Sequence, residues 1–230
     1  MIRIERMEII GKGEHHLLKR WRNLLLLTLI LIGGCEMDSK AHPEKLPNTV
    51  AFQDEFTRGF MVSPKEVKEG YYLFKSKTGG FTMLYPKNAI MDKMYYEKHK
   101  DYFEDINFGE SNKKENIAYF VRITYENKAI TNNIDTNLKL LSNSVNYNGH
   151  YTEFQYEDKI FYYAKNEKLL SNGKSKAYTF FSYIKSNKSN QGIEFIYGVS
   201  CLNFKQKCNI DLTKEEKNAK KLMKSIEFLH

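Results

Sequence analysis

The cysteines are the residues of this chain whose positions point most directly to chemistry, and Cys35 is the first of them. It follows a basic cluster, Lys19 to Arg22, and an apolar run, Leu24 to Ile32, in which Thr28 is the only polar residue. The run has less than half of the roughly 20 apolar residues that a membrane-spanning helix needs, and the charges before it are typical of an export signal. The sequence therefore predicts a signal over residues 1–34 that is removed immediately before Cys35.

The residues at the predicted cleavage point, Ile32-Gly33-Gly34-Cys35, resemble the bacterial lipobox. That resemblance implies transfer of a diacylglyceryl group to the Cys35 sulfur, followed by cleavage before the cysteine. A second acyl chain matters, because a single chain binds a bilayer only marginally. We therefore expect a lipoprotein anchored at the extracytoplasmic face of the cell membrane. Of the 36 basic residues only six are arginine, a preference for lysine that is typical of an AT-rich Gram-positive genome. An ordinary secretory signal with a chance cysteine, or a short buried helix, is the alternative.

The sequence on either side of this signal predicts how the chain is divided. Residues 35–51 are polar and contain Pro43 and Pro47, which is typical of a flexible tether, and the folded domain is expected over residues 52–230. Upstream, the codons for Lys12-Gly13-Glu14 can contain a ribosome-binding sequence. We therefore expect translation to start at Leu17 or Leu18, with a genuinely long leader as the alternative.

The other two cysteines, Cys201 and Cys208, lie between a predicted strand and a predicted helix. Outside the cytoplasm such a pair predicts a structural disulfide. A redox-active pair is one alternative, although redox motifs usually place their cysteines closer together and at the start of a helix. Two free buried thiols are the other alternative.

No other residues have the spacing of a known catalytic or metal site. The acidic clusters Asp101–Asp105 and Glu153–Asp158 lack the glycine and the final glutamate of a calcium loop. No serine lies in a G-x-S-x-G context, and no glycine-rich nucleotide loop is present. We therefore predict no catalytic residue, no metal site, no cofactor and no enzyme activity. The histidines that follow the signal are far apart in the sequence: His42, His99, His150 and His230.

The charge of the chain favours some partners over others. The 230 residues carry a formal net charge of +8; the leader has six basic and three acidic residues, so the remaining 196 residues carry +5. Their only arginines are Arg58 and Arg122, whereas proteins that read nucleic acid favour arginine for bidentate contacts. We therefore expect no nucleic-acid partner, and we interpret the charge as attraction to anionic lipid or wall polymer.

Hydrophobic periodicity predicts the secondary structure, apart from Ala89–Phe108, which fits a helix or a strand. A spacing of four predicts a short helix through Phe52, Phe56 and Phe60. Helical spacing also predicts Ile134–Val145, with Asn133 or Asp135 as N-cap, and a closing helix with Thr213 and Glu216 in a capping box. Alternation predicts strands at Tyr71–Lys75, Phe81–Tyr85, Ile117–Tyr125, Tyr151–Tyr156, Lys159–Ala164, Ala177–Lys185 and Gly192–Val199.

These elements predict an α+β fold, a single mainly antiparallel sheet with helices packed on it, including the C-terminal helix. The hairpin that ends in Tyr85-Pro86 and the closing segment Met223–Phe228 resemble the PsbP-like fold, over roughly residues 70–229. That fold serves binding and assembly without one shared chemistry, so the resemblance implies an architecture rather than an activity.

Together these features predict a non-catalytic binding or accessory module at the cell envelope. Its partners would be the membrane, through Cys35, and an unknown envelope protein or wall component. The alternative is a protein that captures a small ligand or a glycan, and a solvent-facing aromatic row beside Arg58 or Arg122 would then be the site. A hidden envelope enzyme is a third, less favoured alternative, because catalytic residues need not be close in sequence.

Overall fold

The computed structural model describes residues 46–169, 176–203, 205–206 and 208–230. The predicted signal 1–34, the predicted lipidation residue Cys35, His42 and most of the expected tether therefore lie outside the described residues. In the part of the chain that is described, no helix is long and apolar enough to cross a membrane.

Two short helices open the described chain, α1 (Val50–Gln53) and α2 (Glu55–Arg58). Asp54 separates them because its backbone is extended, and its carboxylate caps α2 by accepting a hydrogen bond from the Thr57 amide at 2.7 Å. The predicted helix through the three phenylalanines is therefore two helices. Phe52 is nevertheless buried, and so is Phe60, which follows α2.

The strands of the described residues form two antiparallel sheets. The small sheet consists of β1 (Tyr71–Lys75), β2 (Phe81–Pro86) and the late strand β11 (Glu227–Phe228), with β2 in the middle. The large sheet consists of β3 (Ile90–Met91), β4 (Glu97–His99), β5 (Phe103–Asn112), β6 (Ile117–Asn127), β7 (Thr152–Tyr156), β8 (Lys159–Leu169), β9 (Lys176–Ser186) and β10 (Gln191–Cys201). Its order is β3–β5–β6–β10–β9–β8–β7, and β4 also pairs with β5. Two 3-10 helices lie at Lys93–Tyr95 and Ala129–Asn132.

The expected single sheet is wrong, because the strands of the described residues form two sheets. The free edge of β2 pairs with β11, Phe81 opposite Phe228, and not with a strand of the large sheet. The hairpin instead packs face to face on the large sheet: ring centroids lie 5.5 Å apart for Phe81 and Tyr125, and 4.8 Å apart for Tyr85 and Phe108. Alternation in a sequence shows which face of a strand is buried, and it is the same whether the strand pairs within a sheet or packs on it.

Helix α3 (Ile134–Val145) packs on the opposite, outer face of the large sheet. The prediction of this helix is confirmed, and Asn133 is its N-cap, since Asn133 Oδ1 accepts a hydrogen bond from the Thr136 amide at 3.1 Å. Leu141, Phe181 and Ile196 belong to a small hydrophobic cluster beneath it. That cluster draws on β8, β9 and β10, so α3 covers one end of the outer face.

Helix α4 (Leu212–Lys224) closes the inner layer, beside the small sheet. The predicted closing helix is confirmed, and its apolar side is buried: Ala219, Leu222, Met223 and the following Ile226 are at most 2% exposed. These residues join the main core, which fills the space between the two sheets. The closing helix is therefore part of the folded domain and not a loose tail.

The start of α4 differs from the predicted capping box. Asp211 is the N-cap and accepts a hydrogen bond from the Lys214 amide at 3.0 Å, so Thr213 lies within the first turn. Glu216 does not reach back to the cap, because its carboxylate forms an ion pair with Lys165 of β8 at 2.9 Å.

Candidate binding cleft

An open cleft lies at the edge of the large sheet, where β3, the 3-10 helix Lys93–Tyr95 and the ends of β5 and β6 meet. Its volume is about 1100 Å³. Residues Asn107–Asn112 of β5 line one side, and the loop residues Lys113 and Lys114 continue that side. The wall also includes Val50 at the start of α1, so the chain enters the folded domain at this cleft.

Large apolar side chains are exposed around the cleft. Met94 is 90% exposed, Tyr95 67%, Phe120 54% and Ile90 48%, and all four line it. Single exposed apolar residues are ordinary on a soluble domain, but a contiguous group with a polar rim is typical of an interaction site. The cleft therefore has the composition of a binding surface.

Hydrogen bonds fix the turn that presents two of these side chains. Asp92 Oδ1 accepts a hydrogen bond from the Met94 amide at 3.0 Å. Asn107 of β5 donates from Nδ2 to the Tyr95 carbonyl at 3.1 Å, and its own carbonyl accepts from the Asp92 amide at 2.8 Å. Because the turn is tied to β5 at two points, Met94 and Tyr95 are held outward by the fold.

Phe120 is positioned by the strands that flank β6. In the register it lies opposite Gly109 of β5 and Gly198 of β10. A Cβ atom at Gly198 would overlap the Phe120 ring, so the ring lies directly over that glycine. Since neither neighbour carries a side chain, the Phe120 ring can lie over Gly198 with no side chain beside it, and it stays 54% exposed on the outer face of the sheet.

The edge of β5 offers main-chain groups to the cleft. Along the edge that faces away from β6, β5 pairs with β4 at residues 103–105 and with β3 at Phe108 and Gly109. Among the described residues, no strand pairs with that side from Glu110 to Asn112. An unpaired strand edge has free N–H and C=O groups and can accept an added strand.

One partly buried acid–tyrosine contact lies in the wall of the cleft. Glu110 accepts a hydrogen bond from the Tyr119 hydroxyl at 3.2 Å, and the Asn88 amide lies 3.5 Å from the same carboxylate. Burial raises the pKa of Tyr119 well above its ordinary value, and the negative charge of Glu110 raises it further. The Tyr119 hydroxyl therefore stays protonated, and its hydrogen bond to Glu110 fixes that carboxylate.

Comparison with known proteins gives the family. Residues 47–227 match the family described as "Putative lipoprotein YvcA". The chain is also 33% identical over 229 residues to the protein "Putative lipoprotein YvcA" of Bacillus subtilis (strain 168), an alignment that covers 88% of this chain and 93% of that protein. The chain belongs to this lipoprotein family. Among solved structures, a mutant of the protein Mog1 matches 68% of this chain and 95% of its own, with 10% identity and a TM-score of 0.38, a likeness too low to transfer function.

A second polar group in this member of the YvcA family lies on the outer face of β5, β6 and β10. Arg122 forms an ion pair with Asp105 at 2.8 Å, and Thr124 donates to the same carboxylate at 3.2 Å. Burial raises the pKa of the nearby Glu194 to about 7, although Arg122 acts in the opposite direction. The cavity beside Glu194 has a volume of about 20 Å³, which is room for roughly one water molecule and not for a substrate.

Among the described residues, neither arginine lies beside the solvent-facing aromatic row that was the alternative to an aromatic core. In the described part of the chain, one exposed ring, Phe120, lies on the same face of β6 as Arg122. The Arg122 side chain forms an ion pair with Asp105. Arg58 donates to the Phe52 carbonyl at 2.7 Å and so holds α1 to α2. Arg58 therefore has a structural role, and Arg122 does not line the cleft.

The structure places Cys201 and Cys208 in a disulfide, with an S–S distance of 2.19 Å and a Cα–Cα distance of 5.9 Å. The bond links the end of β10 to the segment that leads into α4. It lies outside the cleft, since neither cysteine lines it. The pair is thus placed where it restrains a connection in the fold.

The described histidines are not brought together. His99 Nε2 lies 2.5 Å from Glu97 on the exposed strand β4, whereas His150 follows α3 and His230 ends the chain. Among the residues that the structure describes, no three His, Cys, Asp or Glu side chains converge to hold a metal ion.

The cleft cannot be predicted from local sequence patterns, because its apolar residues come from separate segments. Ile90, Met94 and Tyr95 lie in the stretch that fitted neither helix nor strand clearly. Phe120 belongs to a strand whose other face is buried, so its exposure could not be read from alternation. One usable signal was Gly109 inside a strand, since glycine there often marks a close approach or an open surface.

Proposed function

We propose that this protein is a lipid-anchored, non-catalytic binding module on the extracytoplasmic face of the membrane. Its cleft would take an extended, apolar segment of a partner protein of the envelope. The observation that carries the proposal is the group of exposed apolar side chains Ile90, Met94, Tyr95 and Phe120 beside an unpaired edge of β5.

Membership of a lipoprotein family supports a lipid anchor at the membrane, and the lipobox-like segment Ile32–Cys35 contains the cysteine to which the lipid would be attached. We propose that Cys35 carries the diacylglyceryl group after removal of residues 1–34. Because Val50 lines the cleft, the anchor and the cleft are joined by the short stretch from Cys35 to Val50. A chain of that length spans at most about 50 Å, so the cleft would work close to the bilayer.

The anchor can be tested apart from the cleft. In cells fed an alkyne-tagged fatty acid, wild-type protein should become labelled and fractionate with membranes. The Cys35→Ala variant should lose the label and keep its uncleaved signal. Normal labelling of Cys35→Ala would show that the lipid is attached elsewhere or that the lipobox interpretation is wrong.

The proposed occupant follows from the two kinds of group that the cleft offers. The free edge Glu110–Asn112 can hydrogen-bond the backbone of an added strand, and the exposed rings of Tyr95 and Phe120 can pack against its apolar side chains. Aromatic side chains give large contact area at low cost in conformational entropy, which suits a binding surface. The lysines at the rim, Lys113 and Lys114, favour a segment with acidic flanks.

The absence of catalysis is part of the proposal. The polar groups near the cleft already have structural tasks: Asp92 and Asn107 hold the turn, and Glu110 is bonded to Tyr119. Glu194, whose pKa is raised into the neutral range, adjoins a cavity too small for a substrate. These observations support a surface that binds rather than one that transforms its ligand.

A glycan is the second candidate ligand. Exposed aromatic rings with nearby side-chain amides, Asn107 and Asn112 here, can stack on and hydrogen-bond a sugar. The cleft is open to solvent along its length, whereas small-ligand sites usually enclose most of the ligand. The open shape does not suit a small enclosed sugar. The unpaired strand edge, which can hydrogen-bond a peptide backbone, favours the peptide segment.

Photo-crosslinking in living cells tests the cleft. A photoreactive amino acid is placed at Tyr95, at Phe120 or, as the matched control, at Leu140, which is 55% exposed on α3 and lies outside the cleft. Both cleft positions should give the same discrete protein adduct, identified by mass spectrometry, and Leu140 should not. Identical adducts from all three positions, or adducts with lipid or glycan alone, would refute a protein segment as the occupant.

A further inference from the structure

Helix α4 carries a concentration of positive charge. A groove of about 540 Å³ runs between this helix and β8, and five of its lining residues are lysines. We call these five residues the lysine face: Lys165, Lys217, Lys220, Lys221 and Lys224. Among the described residues that line the groove, Glu216 is the only acidic one, so the lining has a net charge of +4.

Glu216 neutralises only part of this charge. Burial would raise its pKa, but hydrogen bonds from Lys220, Lys165 and Tyr163 lower the pKa to about 2, so the carboxylate stays ionised. Its ion pairs engage Lys165 at 2.9 Å and Lys220 at 2.6 Å. In the described part of the chain, Lys217, Lys221 and Lys224 have no carboxylate partner, and their charges are left for a ligand.

Aromatic rings hold two of these ammonium groups in place. Lys221 Nζ lies 4.9 Å from the centre of the Tyr71 ring, and Lys224 Nζ lies 4.8 Å from the centre of the Tyr156 ring. Cation–π contacts of this kind restrict a long side chain without neutralising it. The lysine face is therefore partly pre-organised, which reduces the entropy lost when it binds an anion.

The lysine face differs from the other lysines of the domain in its grouping. Some lysines elsewhere are matched by acids: Lys159 is buried and contacts Glu157 at 3.1 Å and Glu227 at 3.0 Å. Other lysines, such as Lys65 and Lys139, are exposed and have no ion pair in the described part, but they do not line this groove. Between α4 and β8, five lysines line one groove and face a single acid.

We propose that the lysine face binds a linear phosphate polymer. Lys217, Lys221 and Lys224 follow one another along one side of α4, and the helix rise places the first and last about 10 Å apart. A single phosphate cannot bridge that distance, whereas a chain of phosphates can meet several ammonium groups at once. A flat bilayer fits less well, because the site is a groove and Leu212 is the one exposed large apolar residue that lines it in the described part.

The proposal is independent of the cleft and of the lipid anchor, and it is tested on the full chain in a nonionic detergent. Long-chain inorganic polyphosphate is the probe and is titrated at several salt concentrations. Orthophosphate, a single phosphate group, is the comparison. We compare wild type with the triple variant Lys217→Gln/Lys221→Gln/Lys224→Gln. The matched control is Lys65→Gln/Lys68→Gln/Lys139→Gln, which removes three exposed lysines that have no ion pair in the described part.

We expect the wild type to bind polyphosphate far more tightly than orthophosphate. The lysine-face variant should lose about tenfold or more in affinity, and its slope of log K against log salt should fall by about 2, whereas the control should change by about twofold or less. If the triple variant does not fold, the single variant Lys217→Gln, at an exposed position, should still lose about twofold to threefold.

Three results would overturn the proposal. Equal losses in the lysine-face and control variants would show that only the overall charge matters. Equal competition by phosphatidylglycerol in mixed micelles would identify a membrane surface as the ligand. No saturable binding of polyphosphate by the wild type would show that the groove is an ordinary solvated surface.

Discussion

The two faces of the large sheet are built from the same strands but have different roles. On the inner face, the small sheet and α4 complete a core of 28 buried side chains among the described residues. On the outer face, α3 covers a cluster of five, and the surface of β5 and β6 beside it is open. Stability is therefore concentrated on the inner face, while the outer face and its edge can present a binding surface at little cost to the fold.

The strongest test of this contrast is a pair of identical truncations. Leu222 of α4 is 2% exposed on the inner face, and Leu141 of α3 is fully buried on the outer face. Side chains around Leu222 are held from several sides in the larger core, so they relax less into a cavity than those around Leu141. We therefore expect Leu222→Ala to lower the free energy of unfolding by about 3–5 kcal/mol and Leu141→Ala by about 2–3 kcal/mol. Denaturant unfolding of the purified variants measures both values. A larger cost for Leu141→Ala would reverse our view of where stability resides.

The next effect concerns the connection from the large sheet to α4. Replacing Cys201 and Cys208 by serine should lower the free energy of unfolding by about 2.5 kcal/mol, since the bond closes a short loop in the unfolded chain. Peptide mapping without reductant should recover a cross-linked peptide that contains both cysteines. Two free thiols in exported wild-type protein would contradict the disulfide.

On the outer face, stability should depend on pH through Glu194. Burial raises its pKa from 4.5 to about 7, so the folded state holds a proton that the unfolded state releases. Stability is therefore lost as pH rises from about 4.5 to 7. Relative to Glu194→Gln, the wild type should lose roughly 2 kcal/mol of unfolding free energy over this range. Parallel curves for the two proteins would show that Glu194 ionises normally.

The smallest effects on stability are expected at the cleft. Tyr95→Ala and Phe120→Ala remove side chains that are more than half exposed, so each should change the free energy of unfolding by about 0.5 kcal/mol or less. Thermal melts of the purified variants measure this. A large loss for either variant would mean that the exposed rings are needed to hold the edge of the sheet together.

Much of the fold could be predicted from local patterns. Asn133 followed by helical spacing gave α3, and alternation gave the main strands of the large sheet, because a half-buried strand repeats every two residues. The second sheet could not be predicted, since β11 has two residues, Glu227 and Phe228, and no periodicity is visible in so short a segment. The capping box failed at Thr213 because Glu216 has stronger partners in β8, which local sequence does not reveal.

The candidate site was less accessible to sequence reasoning than the fold. Alternation places Phe120 and Val121 on opposite faces of β6, but it does not show that the face of Phe120 is left open. Lys217, Lys221 and Lys224 could be placed on a helix, but their lack of acidic partners depends on the strands that face them. Lys221 lies over Tyr71 of β1 and Lys224 over Tyr156 of β7.

The central claim is that the protein binds its partner through the cleft while the inner core maintains the fold. The most direct measurement places a photoreactive residue at Ile90, a third cleft position, and records the yield of the protein adduct in living cells. The double variant Tyr95→Ala/Phe120→Ala should lower that yield about fivefold or more with an unchanged melting temperature, as expected when two aromatic contacts are lost from an interface. The control Ile130→Ala/Leu140→Ala, which removes two similarly exposed side chains outside the cleft, should leave the yield unchanged. An undiminished yield from the cleft variant would contradict the account.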